Sequence, residues 1–121
     1  MSDPGELNKA IKAHSMWKIR LKDAIDTGTS DVSASQAKDS HQCAFGKWLD
    51  LLPLSEKARD EYKAIVPLHD KFHMVAGNVL QMALAGQKDK AHEALTNITG
   101  EFMYTSAQLI NLISEWKRKS S

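Results

Sequence analysis

The sequence predicts an all-α protein, an antiparallel four-helix-bundle-like domain in which one short helix carries the cysteine. Apolar residues recur at spacings of three and four over several long segments, which places them on one face of a helix. No segment shows the sustained alternation of apolar and polar residues that predicts a half-buried strand. The connections between the helical segments are short, which favours antiparallel neighbours.

The length and composition fit one domain with a buried core. The chain has 121 residues, of which 42% are apolar and 26% are charged, as is ordinary for a globular protein. Its formal net charge of +1 gives no broad basic surface for nucleic acid or an anionic membrane. No apolar run approaches the roughly 20 residues of a membrane span, and no signal peptide opens the chain. A single cysteine excludes an internal disulfide, and we expect a reducing, cytoplasmic location.

A single domain accounts for almost all of the chain. We predict it over residues 7–117, with a tail or remnant over residues 1–6 and a basic tail over residues 118–121. The sequence contains no internal repeat and no low-complexity block, so it gives no reason for a further division.

The first helix has recognisable signals at both ends. Asp3 can cap its start and Pro4 suits its first position, while Thr27 and Gly28 end it. Its apolar stripe consists of Leu7, Ala10, Ile11, His14, Trp17, Leu21, Ala24 and Ile25.

The middle of the chain is built from shorter segments. Residues 29–40 are polar and rich in serine, and they predict a loop with room for one short turn of helix. A short helix then begins at Cys43 and ends before Pro53. Its inward residues are Phe45, Trp48, Leu49 and Leu52. From Ser55 a modest helical pattern runs to Pro67, which either kinks a long helix or starts a new one.

Two further apolar stripes complete the predicted bundle. The first runs from Leu68 to Leu84, and Gly86 follows as a natural C-terminal cap. The second extends from about Asp89 to Lys117, and Gly100 interrupts it at a cost of about 1 kcal/mol relative to alanine. It places on one side Ala91, Leu95, Ile98, Phe102, Leu109, Leu112, Ile113 and Trp116.

Two histidines on the inward face of the third helix are candidate metal ligands. His69 and His73 are four residues apart, so their Cβ atoms lie about 5–6 Å apart on a helix and both rings can point to one centre. Two ligands on one helix need that spacing. The alternative is a pair of core or boundary histidines, which would need other partners because buried imidazoles are costly without them.

His14 and Cys43 could complete such a site. His14 falls on the apolar stripe of the first helix, where the alternative is a core histidine bonded to a carbonyl. Cys43 is either a small buried hydrophobic residue or a thiolate stabilised by a metal or a helix N-terminus. One cysteine and three histidines supply the four ligands of a tetrahedral zinc site, and Zn²⁺ suits this donor set better than copper or nickel.

Other polar residues compete less well for a role in the site. His41 lies two residues before Cys43 in a polar loop, which favours solvent exposure, and His92 is expected at the surface or its boundary. Asp39 and Asp70 could orient imidazoles as hydrogen-bond acceptors, although exposed positions account for them equally simply.

Three blocks of the sequence resemble the chemoreceptor zinc-binding (CZB) domain family. They are HSMWKIRL at residues 14–21, CAFGKW at residues 43–48 and PLHDKFH at residues 67–73, and the resemblance spans about residues 7–113. It departs from the family pattern at Leu49, where many members have an aromatic residue, and at Pro67, which is often adjacent to the histidine.

The resemblance implies a cytoplasmic, mostly helical module attached to bacterial chemotaxis receptors or diguanylate cyclases. Matched by motif, its zinc ligands are His14, Cys43, His69 and His73. Four protein ligands leave no position for water or substrate, so we expect a closed, non-catalytic site. A di-iron or haem bundle would need Glu-x-x-His pairs or axial ligands without the thiolate, and glutamate is absent around His69.

The leading hypothesis is therefore a sensory or regulatory input domain, with Cys43 as an oxidant-sensitive redox switch. The alternative is a purely structural zinc-stabilised interaction module. As partners we expect a second copy in a homodimer and the output domain of a chemoreceptor or diguanylate cyclase. We expect no nucleic-acid partner and no membrane contact by this domain.

Overall fold

The structure is a computed structural model that describes residues 4–120. Within that range it contains α-helices, one turn of 3-10 helix and no strand, so the all-α prediction is confirmed. The elements are α1 (Pro4–Thr27), α2 (Ala34–Lys38), a 3-10 turn (Ser40–Gln42), α3 (Ala44–Asp50), α4 (Leu54–Lys57), α5 (Asp60–Leu84), α6 (Lys88–Thr96) and α7 (Glu101–Ser120). None of these helices is both long and apolar enough to cross a bilayer.

The long helices α1, α5 and α7 pack against one another around the core. Its bulkiest fully buried side chains are those of Trp116, Phe72 and Phe102. Burying a phenylalanine side chain contributes about 1.5–3 kcal/mol, so a few such rings are comparable with the net stability of a small domain. Trp17 and Ile25 of α1 are buried in the same core.

The short elements cover the face of the bundle that α1 and α5 share. α2 and the 3-10 turn pack on α5, and α3 contacts both α1 and α5. α2 begins with a capping box, in which Ser33 Oγ accepts from the backbone N–H of Gln36 (3.1 Å) and Gln36 Oε1 accepts from that of Ser33 (2.9 Å). The short turn of helix predicted within residues 29–40 is therefore α2.

Two glycines end long helices as predicted. Gly28 follows α1 with φ +73°, and Gly86 follows α5 with φ +78°, backbone angles that side chains with a Cβ rarely adopt. Asp3, the predicted cap of α1, lies outside the described residues. Helices α1 and α7 include residues 4–6 and 118–120, which were expected to be tail.

Pro67 lies inside α5, which continues through it from Asp60 to Leu84. Of the two alternatives for this proline, the chain adopts the long helix. His69 and His73 consequently share one uninterrupted helix with the residues of the core.

The last predicted stripe is divided more completely than expected. α6 ends at Thr96 and α7 starts at Glu101, so the interruption at Gly100 is a full break. The Asn97 Oδ1 atom accepts from the backbone N–H and the hydroxyl of Thr99 at 3.0 and 2.9 Å, local bonds that compete with helix formation. The prediction that Ile98 faces the core is wrong, since it is 81% exposed at this turn.

Candidate metal centre

Four side chains that are distant in sequence meet beside the core. His14 comes from α1, Cys43 from the residue that caps α3, and His69 and His73 from α5. Each offers one ligand atom, and these four atoms lie within 4.8 Å of one another. The three imidazoles are buried, with at most 2% of each exposed, and Cys43 is partly buried. The fold thus brings together all four predicted ligands.

Backbone carbonyls fix two of the imidazoles. His14 Nδ1 donates to the Ala10 carbonyl at 2.6 Å, and His73 Nδ1 donates to the Ala37 carbonyl at 2.9 Å. A carbonyl can only accept, so each neutral ring carries its proton on Nδ1 and leaves Nε2 as an acceptor. The hydrogen bond to a carbonyl, which the sequence offered as the alternative to metal binding for His14, is therefore present. It is compatible with metal binding, because it leaves Nε2 free to bind a metal.

One nitrogen in the cluster has no partner. His73 Nε2 is fully buried and, among the residues that the structure describes, it makes no hydrogen bond. Leaving a buried polar atom unsatisfied costs about 1–3 kcal/mol. A metal ion in the cluster would provide the missing partner for this atom.

Two of the distances between ligand atoms are close to those of a tetrahedral site. Cys43 Sγ lies 3.6 Å from His69 Nε2 and 3.9 Å from His14 Nε2. Zinc bonds of 2.0–2.1 Å to nitrogen and 2.3 Å to sulfur place these atoms about 3.6 Å apart at a tetrahedral angle. The donor set of three nitrogens and one sulfur is also one that zinc prefers.

Burial keeps the imidazoles neutral. It lowers the pKa of His14 to about 4, and burial together with the neighbouring His14 and His73 rings lowers the pKa of His69 to about 2. Burial also lowers the pKa of His73, against the opposing effect of its bond to Ala37. Neutral imidazole is the form that binds a metal, so at pH 7 no proton has to leave these rings.

The thiol behaves differently in the absence of a metal. Burial raises the pKa of Cys43, while hydrogen bonds from the backbone N–H groups of Gly46 and Phe45 act in the opposite direction. Metal binding must therefore remove a proton from Cys43. Among the four side chains, this one is the most sensitive to whether a metal is present.

Aromatic rings form the inner wall of the cluster. Phe45 stands edge-on to His69 and Phe72 edge-on to His14, with ring centroids 5.1 and 5.2 Å apart. On the outer side, a cleft of about 300 Å³ lies between Trp17 of α1 and Gln36 of α2 and reaches Cys43 and His73. The cluster is therefore dry on one side and accessible on the other.

The competing histidines are placed elsewhere. His41 is exposed, and its Nδ1 bonds Asp50 Oδ2 at 2.8 Å, which raises the pKa of His41. His92 is exposed on α6. Both positions agree with what their sequence contexts predicted.

The two aspartates act on the backbone and on a serine. Asp39 Oδ1 accepts from the backbone N–H of His41 at 3.0 Å, and Asp70 Oδ1 accepts from Ser40 Oγ at 2.5 Å. Two of the imidazoles, those of His14 and His73, are instead held by the Ala10 and Ala37 carbonyls. Sequence reasoning missed both carbonyls and Ser40. Ala10 could have been found, since it lies one helical turn before His14, whereas Ala37 and Ser40 carry no such signal.

Comparison with known proteins gives one match. The model of the family described as chemoreceptor zinc-binding domain matches residues 14–80, which is more than half of the 121 residues. The matched range contains all four clustered side chains and lies within the span over which the sequence resembles that family. No curated protein and no solved structure matches the chain.

Proposed function

The chain belongs to the chemoreceptor zinc-binding domain family, and on that premise we propose that it is a sensory or regulatory input domain of bacterial signal transduction that binds one zinc ion. The observation that carries the proposal is the cluster of His14, Cys43, His69 and His73, whose four ligand atoms lie within 4.8 Å of one another. The unpartnered Nε2 of His73 is the strongest single indication that a metal belongs there.

Four protein ligands favour a regulatory site over a catalytic one. When bound, zinc keeps the Cys43 sulfur as a thiolate at neutral pH. His14, His69 and His73 would hold the ion together with Cys43, which would leave no open position of the kind that catalytic zinc sites keep. We therefore propose a non-catalytic role.

The arrangement of the ligands supports a switch. Three of them lie on the long helices α1 and α5, and Cys43 alone comes from the segment of short elements between residues 34 and 50. Losing the Cys43 ligand would remove the metal bond between the start of α3 and the long helices, while the core between α1, α5 and α7 stays packed. A local change at one ligand would thus bias a two-state element.

Oxidation of Cys43 is the proposed signal. The thiolate attacks hydrogen peroxide, so that an S–O bond forms, the O–O bond breaks and hydroxide leaves. The sulfur loses two electrons, and the peroxide gains them. The resulting sulfenic acid is a poorer ligand, and no second cysteine is present in the sequence to convert it to an internal disulfide. The cleft that reaches Cys43 supplies access for a small oxidant.

Metal content and redox response test this function. Elemental analysis should find one zinc per chain in wild-type protein and in His92→Ala, and much less in His73→Ala. Hydrogen peroxide should release zinc from wild type and change the fluorescence of Trp48, which stacks on Phe45 with centroids 5.8 Å apart. Equal zinc release from wild type and Cys43→Ser would make Cys43 a structural ligand only. An attached output domain whose activity ignores both zinc and oxidant would favour the structural alternative.

We extend the proposal to the assembly and its surroundings. A cytoplasmic location and an output domain of a chemoreceptor or diguanylate cyclase fit the family's role. We also propose a homodimer. Met16 and Ile19, 46% and 57% exposed one turn apart on α1, offer an apolar surface for a second copy. Light scattering should give a mass of twice 13.5 kDa for wild type and a lower mass for Ile19→Lys. A mass of 13.5 kDa for wild type would contradict the dimer, and an unchanged mass for Ile19→Lys would contradict the proposed surface.

A further inference from the structure

Ser40 is a buried serine that reaches from the 3-10 turn to α5. Its side chain is 5% exposed, and its Oγ donates to Asp70 Oδ1 at 2.5 Å. Hydrogen bonds from a hydroxyl to a carboxylate at this distance are among the strong ones in proteins. Asp70 directly follows His69 in α5, so the bond ends on the helix that carries two of the clustered imidazoles.

The backbone of Ser40 also supports the helix that Cys43 caps. A Cβ atom at Gly46 would overlap the Ser40 carbonyl oxygen and would lie 3.2 Å from the His41 Cα. The first turn of α3 is therefore packed directly on Ser40. Cys43 lies in the chain between Ser40 and Gly46, and its carbonyl accepts from the backbone N–H of Lys47 at 3.0 Å. Residues 40–47 thus form one unit that includes the thiol.

The hydrogen bonds that join α2 to α5 do not involve residues 40–47. The Ala37 carbonyl accepts from His73, and Lys38 Nζ donates to Gln81 Oε1 at 2.9 Å. Asp39 then follows in an extended conformation, with φ −88° and ψ 100°, which separates α2 from the 3-10 turn. Among the described side chains of this unit, Ser40 and Cys43 itself form hydrogen-bond contacts with α5, and Ser40 is the one of the two that is not a candidate ligand.

We propose that Ser40 and Asp70 are a positioning pair that holds Cys43 Sγ at the metal centre. The inference rests on the zinc site proposed above and adds two residues to it. Among the described residues, no hydrogen bond joins Ser40 or Asp70 to one of the clustered imidazoles. The pair acts by holding residues 40–47 against α5, so that Cys43 Sγ stays 3.6 Å from His69 Nε2 when the metal arrives.

Four variants test the pair. Ser40→Ala and Asp70→Ala should each weaken zinc binding about tenfold to 100-fold, the range found when groups that orient metal ligands are removed. The double variant should lose little more than either single one, because both remove the same bond. Asp70→Asn keeps an oxygen acceptor for Ser40 and should stay close to wild type. Ser33→Ala is the matched control, since it removes a serine hydrogen bond from the same segment without touching α5.

The measurements are zinc affinity by competition with a chromophoric chelator, and the absorption spectrum of the Co²⁺-substituted protein. In the Ser40→Ala and Asp70→Ala variants the sulfur-to-cobalt charge-transfer band should weaken, a change that loss of stability alone would not cause. Asp70 is exposed, so its variants should fold, which circular dichroism checks. An unchanged affinity and spectrum in Ser40→Ala would overturn the inference, as would an equal loss in Ser33→Ala or Asp70→Asn. Failure of wild type to bind either metal would instead refute the proposed zinc site.

Discussion

Replacing Gly46 with alanine should destabilise the protein and displace the metal-binding thiol. The new Cβ atom would overlap the Ser40 carbonyl oxygen and lie 2.9 Å from the carbonyl carbon, whereas carbon atoms in good contact are about 3.5–4.0 Å apart. Both obstructing atoms are backbone atoms, which cannot rotate away as a side chain can. The 3-10 turn and α3 must therefore separate by on the order of 1 Å.

That displacement is large compared with what a metal site tolerates. Ligand distances in such sites hold to within about 0.2 Å, and Cys43 lies between the two segments that separate. Overpacking of this kind costs about 1–3 kcal/mol, offset by at most about 1 kcal/mol from the better helix propensity of alanine. We expect a net destabilisation of about 1–2 kcal/mol in the metal-free protein and a loss of zinc affinity of at least tenfold.

Urea denaturation and chelator competition measure the two effects. Gly77→Ala is the comparison, because Gly77 is also a helical glycine that faces a short element. The atom that its new Cβ would overlap belongs to the Lys38 side chain, and the nearest backbone atoms, Ala34 O and Lys38 N, lie 3.1 Å away. That variant should retain most of its zinc affinity. If Gly46→Ala binds zinc as tightly as wild type and unfolds at the same urea concentration, α3 is not packed on Ser40 as described.

Three further predictions concern the histidines and the core. In the metal-free protein, burial lowers the pKa of His14 from 6.5 to about 4, so the unfolded chain binds more protons between these values and stability falls as the pH drops from 6.5 to 4. For this imidazole the loss in the free energy of unfolding is on the order of 3 kcal/mol. The urea midpoint of wild type should therefore fall more between pH 7 and pH 4.5 than that of His14→Leu, and an equal fall in the two proteins would contradict the prediction. His41→Ala should keep one zinc per chain in elemental analysis, because His41 bonds Asp50 outside the cluster; loss of zinc would place it among the ligands. Trp116→Ala should lower the free energy of unfolding by about 3–5 kcal/mol, since the ring is fully buried, and a change below 1 kcal/mol in urea denaturation would show that the ring is not in the core.

Local patterns were sufficient to predict the helices and the pair on α5. The stripe of α1 contains the buried residues Leu7, Ala10, His14, Trp17, Leu21, Ala24 and Ile25, and Gly28 and Gly86 follow helices as expected. Helical periodicity and left-handed glycine turns depend on residues within a few positions of one another, so they are visible in the sequence. The spacing of His69 and His73 is local in the same sense. The break before α7 is local too, since Asn97 bonds Thr99 within it, but the apolar spacing continues across it and predicts one helix.

The metal centre needed both kinds of information. Residue types and the family resemblance predicted the four ligands, because imidazoles on apolar stripes and a lone thiol can be recognised before it is known how the helices pack. Only the tertiary structure decided which atoms orient them. His73 is fixed by the Ala37 carbonyl across 36 positions, and Ser40 reaches Asp70 across 30. A backbone carbonyl is the same group at every residue and a serine hydroxyl is common, so nothing in the sequence marks these two. Their roles arise because helix packing sets which groups lie within 3 Å of each other, and that distance is a property of the folded chain alone.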